Sequence, residues 1–230
     1  RINIKSDFLK SIMALTSGTI LAQVVSYLAT PFITRLFTPD EIGELGVFLR
    51  ITAFITAIAT ARYELTLPLP KNKNHAFQLF YLSLRITLIT LAVSLVLGIG
   101  YWIWSDFDIN VIWYVLFIVS TSFFMIFRNI GTNWAIRNKS FKHISISGIL
   151  GSIFTNGIKI ISGLLNFSVI GLIIAHVAGA AMSVVVFIRE FLQNRKMEGF
   201  QPSRAKMKVL SREYKDFPSV NLPHILIDNG

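Results

Sequence analysis

Apolar residues in this chain fall into long blocks, broken by short turns that are polar, charged or proline-containing. The blocks run from about Ser11 to Phe37, Gly43 to Ala61, Ala76 to Trp104, Val111 to Ile130, Ile144 to Leu165 and Val169 to Leu192. A seventh begins after Phe217-Pro218. Each block holds about 20 residues or more, the length a helix needs to cross a hydrocarbon core of about 30 Å. The pattern predicts an all-α, polytopic membrane helix bundle of six transmembrane helices plus the start of a seventh. Residues 1–193 are expected to form the six-helix lobe, 194–217 a basic linker and 218–230 the opening of the seventh helix. Arg1 and Gly230 read as the ends of a fragment.

The turns carry local signals of their own. Pro31 removes a backbone donor inside the first block and predicts a kink. Thr38 is placed to cap the second helix, with Pro39 at its first position. Pro68 and Pro70, then Lys71-Asn72-Lys73-Asn74, mark a loop.

Composition agrees with the blocks: 53% of the 230 residues are hydrophobic and 15% are charged, with a mean hydropathy of +0.60. Soluble domains average about 25% charged residues. The net charge of +10 is read as topology and lipid contact, not as a nucleic-acid surface. Lys71, Lys73, Arg137, Lys139, Lys142 and the cations from Arg195 to Lys215 follow the second, fourth and sixth blocks. The intervening loops carry Asp40, Glu41, Asp106 and Asp108 and no Lys or Arg. The positive-inside rule then places the N-terminus in the cytoplasm. Tyr101, Trp102 and Trp104 fit an outer aromatic belt. No cleavable signal peptide is evident, and without cysteine no disulfide framework is available.

Polar groups within the blocks are the candidate chemistry. Thr16, Thr19, Gln23, Ser26, Tyr27, Thr30 and Thr34 recur at three- and four-residue spacing, which gathers them on one helical face. Such a stripe either packs against another helix or forms one wall of a hydrated cavity. Gly148, Ser152, Thr155, Lys159 and Ser162 repeat the pattern on the fifth block, with Asn156 adjacent. Arg50, Lys159 and His176 lie at similar depth in the expected outer half of the membrane, and no carboxylate lies in mid-span to neutralise them. An intramembrane cation costs about 2.5–3.5 kcal/mol on insertion scales, so it is expected to face inward or to snorkel. The inward reading makes Arg50 and Lys159, extended by Arg35, His176, Gln23, Thr30 and Asn156, a lining for an anionic substrate. Arg85 and Arg128 lie towards the cytoplasmic face, where snorkelling is easy. Arg62-Tyr63-Glu64 is either an interfacial anchor with a local ion pair or a cytoplasmic gate. No phosphate-binding glycine loop, metal-ligand spacing or nucleophile–base pair is present, so the sequence gives no support to an enzyme, a metal site or a cofactor.

Three short segments resemble a known family: Phe37-Thr38-Pro39-Asp40-Glu41-Ile42-Gly43, Arg62-Tyr63-Glu64-Leu65 with Leu67-Pro68 and Asn74-His75-Ala76, and Tyr214-Lys215-Asp216-Phe217-Pro218. They are similar to the corresponding turns of Wzx-type polysaccharide-biosynthesis flippases, in the multidrug/oligosaccharidyl-lipid/polysaccharide exporter superfamily. The resemblance implies an N-terminal lobe of six helices that pairs with a second lobe around a central cavity. It implies a bacterial inner-membrane location and transfer of an undecaprenyl-diphosphate-linked oligosaccharide, such as an O-antigen unit of lipopolysaccharide, between leaflets by alternating access. Expected partners are that lipid-linked oligosaccharide, membrane lipids and polysaccharide polymerase or assembly proteins, with no nucleic acid. Two alternatives stand beside it. A drug or cation antiporter of the same superfamily would more naturally carry acidic residues in mid-span. A non-transporting scaffold for glycan assembly would tolerate changes in the polar stripes.

Overall fold

The computed structural model describes residues 4–196 and 202–221. The described residues are helical with no strand: α1 (Ile4–Leu36), α2 (Pro39–Ile58), a 3-10 turn (Tyr63–Thr66), α3 (Lys73–Trp104), α4 (Ile109–Arg137), α5 (Phe141–Leu164), α6 (Val169–Lys196) and α7 (Arg204–Glu213). Among the described residues, four helices are long and apolar enough to cross a membrane: α3, α4, α5 and Val169–Ile188 of α6. The expected spans in α1 and α2 carry more polar character. Threonines, serines and Gln23 dilute α1, and Asp40, Glu41, Glu44 and Arg50 put four charges into α2. Most of the segment expected to open a seventh helix, 222–230, lies outside the described residues; a helical stretch covers 216–221.

The helices form a connected row. α1 packs on α5, α5 on α6 and α6 on α4; α4 in turn carries α2 and α3. Two of these contacts depend on small residues. A side chain at Gly18 of α1 would run into Ser145 of α5, and one at Gly179 of α6 would meet Thr155 of α5. Ser147 Oγ, buried on α5, donates to the Ser183 carbonyl on α6 at 2.6 Å. Lipid tails are as apolar as leucine, so helices in a bilayer associate through close packing of this kind and through hydrogen bonds, more than through water exclusion.

The turn into α2 forms as its sequence predicts. Thr38 accepts from the Glu41 backbone, Glu41 reaches back to the Thr38 backbone at 2.8 Å, and Pro39 occupies the first turn. This reciprocal cap satisfies amide groups that a helix start leaves unpaired. Ser168, in the turn between α5 and α6, adds a hydrogen bond to Glu41 at 2.6 Å. Ser168 and then Thr38 hold the Glu41 carboxyl below the usual carboxylate range. A carboxyl depressed on folding stabilises above its unfolded pKa, and that contribution disappears as pH falls through the lower folded value. The tie between α2 and the α5–α6 turn is therefore expected to hold at neutral pH and to open in acid, below the ordinary carboxylate pKa. Hydrogen exchange of the Ser168 turn, followed from pH 7 downward, checks this. Ser168→Ala should remove the part of the pH-dependent protection, beyond the intrinsic pH dependence of exchange, that this hydrogen bond carries.

At the opposite, basic end an aromatic cluster joins three helices. Phe80 of α3 stacks on Phe191 of α6 with centroids 4.0 Å apart, and Trp134 of α4 meets both Phe77 and Phe80. Met207 and Leu210 of α7 are buried, and Leu210 and Tyr214 join this core.

Candidate functional site

The polar stripe of α1 divides between two environments. Ser26 faces α5, where its hydroxyl lies 3.1 Å from that of Ser152. Asn156 donates to Ser26 Oγ at 3.1 Å and to the Ser152 carbonyl at 2.9 Å, and Ser152 donates to the Ala22 carbonyl at 2.7 Å. This is packing through small polar groups. The remainder of the stripe is open: Thr19, Gln23, Tyr27, Thr30 and Thr34 are exposed, Tyr27 by 84%. Thr19, Thr30 and Thr34 donate to backbone carbonyls one turn back at 2.9, 2.8 and 3.1 Å, so no other helix satisfies these hydroxyls.

Lys159 stands beside this face. On α5, Ser147, Gly151 and Thr155 point to α6, whereas Ser145, Ser152 and Asn156 point to α1. Helical periodicity places Lys159 between those two directions, at the seam of α1, α5 and α6. It is half-buried and has no carboxylate partner among the described residues. His176 of α6 is half-buried and close enough to Lys159 to interact electrostatically, and its Nε2 is buried without a hydrogen-bond partner. Lys159, His176, Asn156 and the open side of α1 thus occupy one region.

The other expected cations are exposed. Arg35 is exposed in the last turn of α1, where a cation complements the helix dipole. Arg50 is exposed on the side of α2 opposite buried Phe48 and Thr52. It makes no hydrogen bond with Lys159 or His176. Arg85 and Arg128 are also exposed.

The Arg62-Tyr63-Glu64 segment is built into the basic end. Ala61 and Arg62 adopt positive φ values of 47° and 62°, a left-handed conformation that side chains other than glycine's rarely take. Its surroundings hold it there. Glu64 is buried, accepts from Thr60 and pairs with Arg62 at 3.4 Å. Tyr63 donates to the Ser211 carbonyl of α7 at 3.0 Å, and burial pushes its phenol pKa up. Arg137 of α4 donates to the carbonyls of Leu67 and Pro70, and the Ser203 amide donates to Gln78 Oε1 at 3.0 Å. The stretch 194–217, expected as a basic linker, is thus docked on the bundle through α7 and Ser203. The signal was present: Met207, Leu210 and Tyr214 recur at three and four residues amid cations, the spacing of an amphipathic helix.

No protein-family model, curated protein or solved structure matches this chain.

Proposed function

We propose that the chain is the six-helix lobe of an exporter, with α1 and α2 as two further spans and a seventh helix beginning after Pro218, its N-terminus in the cytoplasm. In this reading it moves a lipid-linked oligosaccharide across the bacterial inner membrane by alternating access. One observation carries the reading: the threonine- and glutamine-bearing side of α1 remains open, beside a lysine with no carboxylate partner among the described residues. Polar side chains facing hydrocarbon are costly, so a row of them in a spanning helix calls for water or a polar partner. A polar, cationic wall suits a glycan carried on a phosphate or diphosphate, and it requires a second wall, such as the facing lobe implied by the family resemblance. The absence of mid-span carboxylates in the sequence argues against a cation antiporter. Arg62, Tyr63 and Glu64, tied to α7, are assigned to the cytoplasmic gate.

The test is export of surface glycan by cells carrying Gln23→Leu together with Thr30→Leu. Both side chains are exposed, so protein abundance should be unchanged and the glycan should accumulate on the inner leaflet. Normal export by this double variant would overturn the proposal and favour a scaffold.

A further inference from the structure

A groove of about 350 Å³ runs between α2 and α3, on a side of the bundle that the polar site does not use. Phe54 and Ile58 line it from α2, and Ile89, Val93 and Leu97 from α3. These apolar walls are open: Ile89, Val93 and Leu97 are 64, 53 and 69% exposed. Thr90 lines it towards the basic loops, where its hydroxyl donates to the Ala59 carbonyl at 3.4 Å and ties α3 to the end of α2. One turn before Ile89 on the same i, i+4 row stands Arg85, exposed and without a carboxylate or hydrogen-bond partner among the described residues. Neither α3 nor α2 beyond Glu44 contains an acidic residue. Arg85 therefore lacks a protein counter-ion along the helices that border the groove.

The dimensions identify an occupant. From Arg85 to Leu97 is about 18 Å along the helix, close to the depth of one leaflet of a core about 30 Å thick. From Arg85 to the aromatic residue Tyr101 is about 24 Å, which sets Arg85 near the hydrocarbon boundary on the basic side. An arginine guanidinium matches a phosphate with paired hydrogen bonds, and the groove beyond it matches an alkyl chain. We propose that this groove binds one acyl chain of a phospholipid from the leaflet at the basic end, with the lipid phosphate held by Arg85. The proposal is independent of what the bundle transports.

The experiment uses the whole chain reconstituted in vesicles doped with phosphatidylglycerol bearing a photoactivatable acyl chain. Diacylglycerol with the same chain and no phosphate is the comparison. Adducts should map to peptides of α2 and α3 around Phe54 and Ile89–Leu97, with phosphatidylglycerol labelling about tenfold more than diacylglycerol, the scale of a charge-assisted contact. Arg85→Gln should bring the two lipids to equal labelling, whereas Arg85→Lys should keep part of the difference. Val93→Trp, which fills the groove, should suppress both. Arg85 is exposed, so its variants test binding without disturbing packing. Equal labelling by the two lipids in the unaltered protein, no effect of Arg85→Gln, or adducts on other helices would each overturn the proposal. So would cross-linking of the groove to a second protein segment, which would mean that protein covers it.

Discussion

Lys159→Ala is expected to abolish the glycan export proposed above, with protein abundance unchanged. The side chain sits at the seam of α1, α5 and α6 with no carboxylate beside it, so its removal leaves no buried anion behind. The usual penalty for breaking a buried ion pair therefore does not apply. The loss falls on whatever anion meets Lys159 during transport. Charge-assisted hydrogen bonds contribute about 1.5–3 kcal/mol, which corresponds to roughly ten- to hundred-fold in affinity. Lys159→Arg keeps the charge and should retain partial export. Export assays paired with immunoblots of the membrane fraction separate loss of activity from loss of protein. Arg50→Ala should behave like Lys159→Ala if Arg50 meets the same substrate. Unimpaired export by both variants would remove the cationic lining from the proposal.

The second large effect is structural. Gly179→Leu should sharply reduce the yield of folded, monodisperse protein. At this position α6 lies so close to α5 that an added Cβ would strike the Thr155 hydroxyl and sit 2.9 Å from the Gly151 carbonyl oxygen. Neither a β-branched side chain nor a backbone carbonyl can swing away cheaply. Overpacking of a tight core typically costs about 1–3 kcal/mol and occasionally more. The α5–α6 contact also joins α1 to the rest of the row. Gly179→Ala should be milder than Gly179→Leu. Gly100→Leu is the control, because nothing lies within 4 Å of a Cβ built there. Thermal unfolding of the three proteins in detergent gives the order. A Gly179→Leu protein as stable as Gly100→Leu would refute the packing argument.

The same residues show which features were legible in advance. Hydrophobic block length alone located α3 to α6, because a helix that crosses a bilayer must present apolar side chains for its whole length. Helix starts at Thr38-Pro39 followed from side-chain chemistry local to the turn. The apolar pattern of the fourth block ends near Ile130, whereas α4 continues to Arg137. Its last turns contain Asn133, Trp134 and Arg137, which break the apolar pattern. Those turns are held by Trp134 packed on Phe77 and Phe80 and by Arg137 bonded to the Leu67 carbonyl, contacts distant in sequence. α7 escaped for a similar reason: its apolar face is narrow, and its partners lie on α3 and the Tyr63 turn.

The amino-acid sequence was enough to show that the described residues are helical, that four segments are long and apolar enough to cross a membrane, and which side chains are polar within the blocks. Periodicity is a property of a single helix, so it could gather Thr19, Gln23, Ser26 and Thr30 on one face without naming what that face meets. Only the tertiary structure separated Ser26, engaged by Ser152 and Asn156, from the open threonines beside it. It also brought Lys159 to His176 while setting Arg50 on an outward side of α2. The physical reason is that similar depth in a membrane fixes one coordinate of a side chain. The other two depend on which helices touch, and small residues such as Gly179 on α6 and Gly18 on α1 decide that through contacts formed far along the chain.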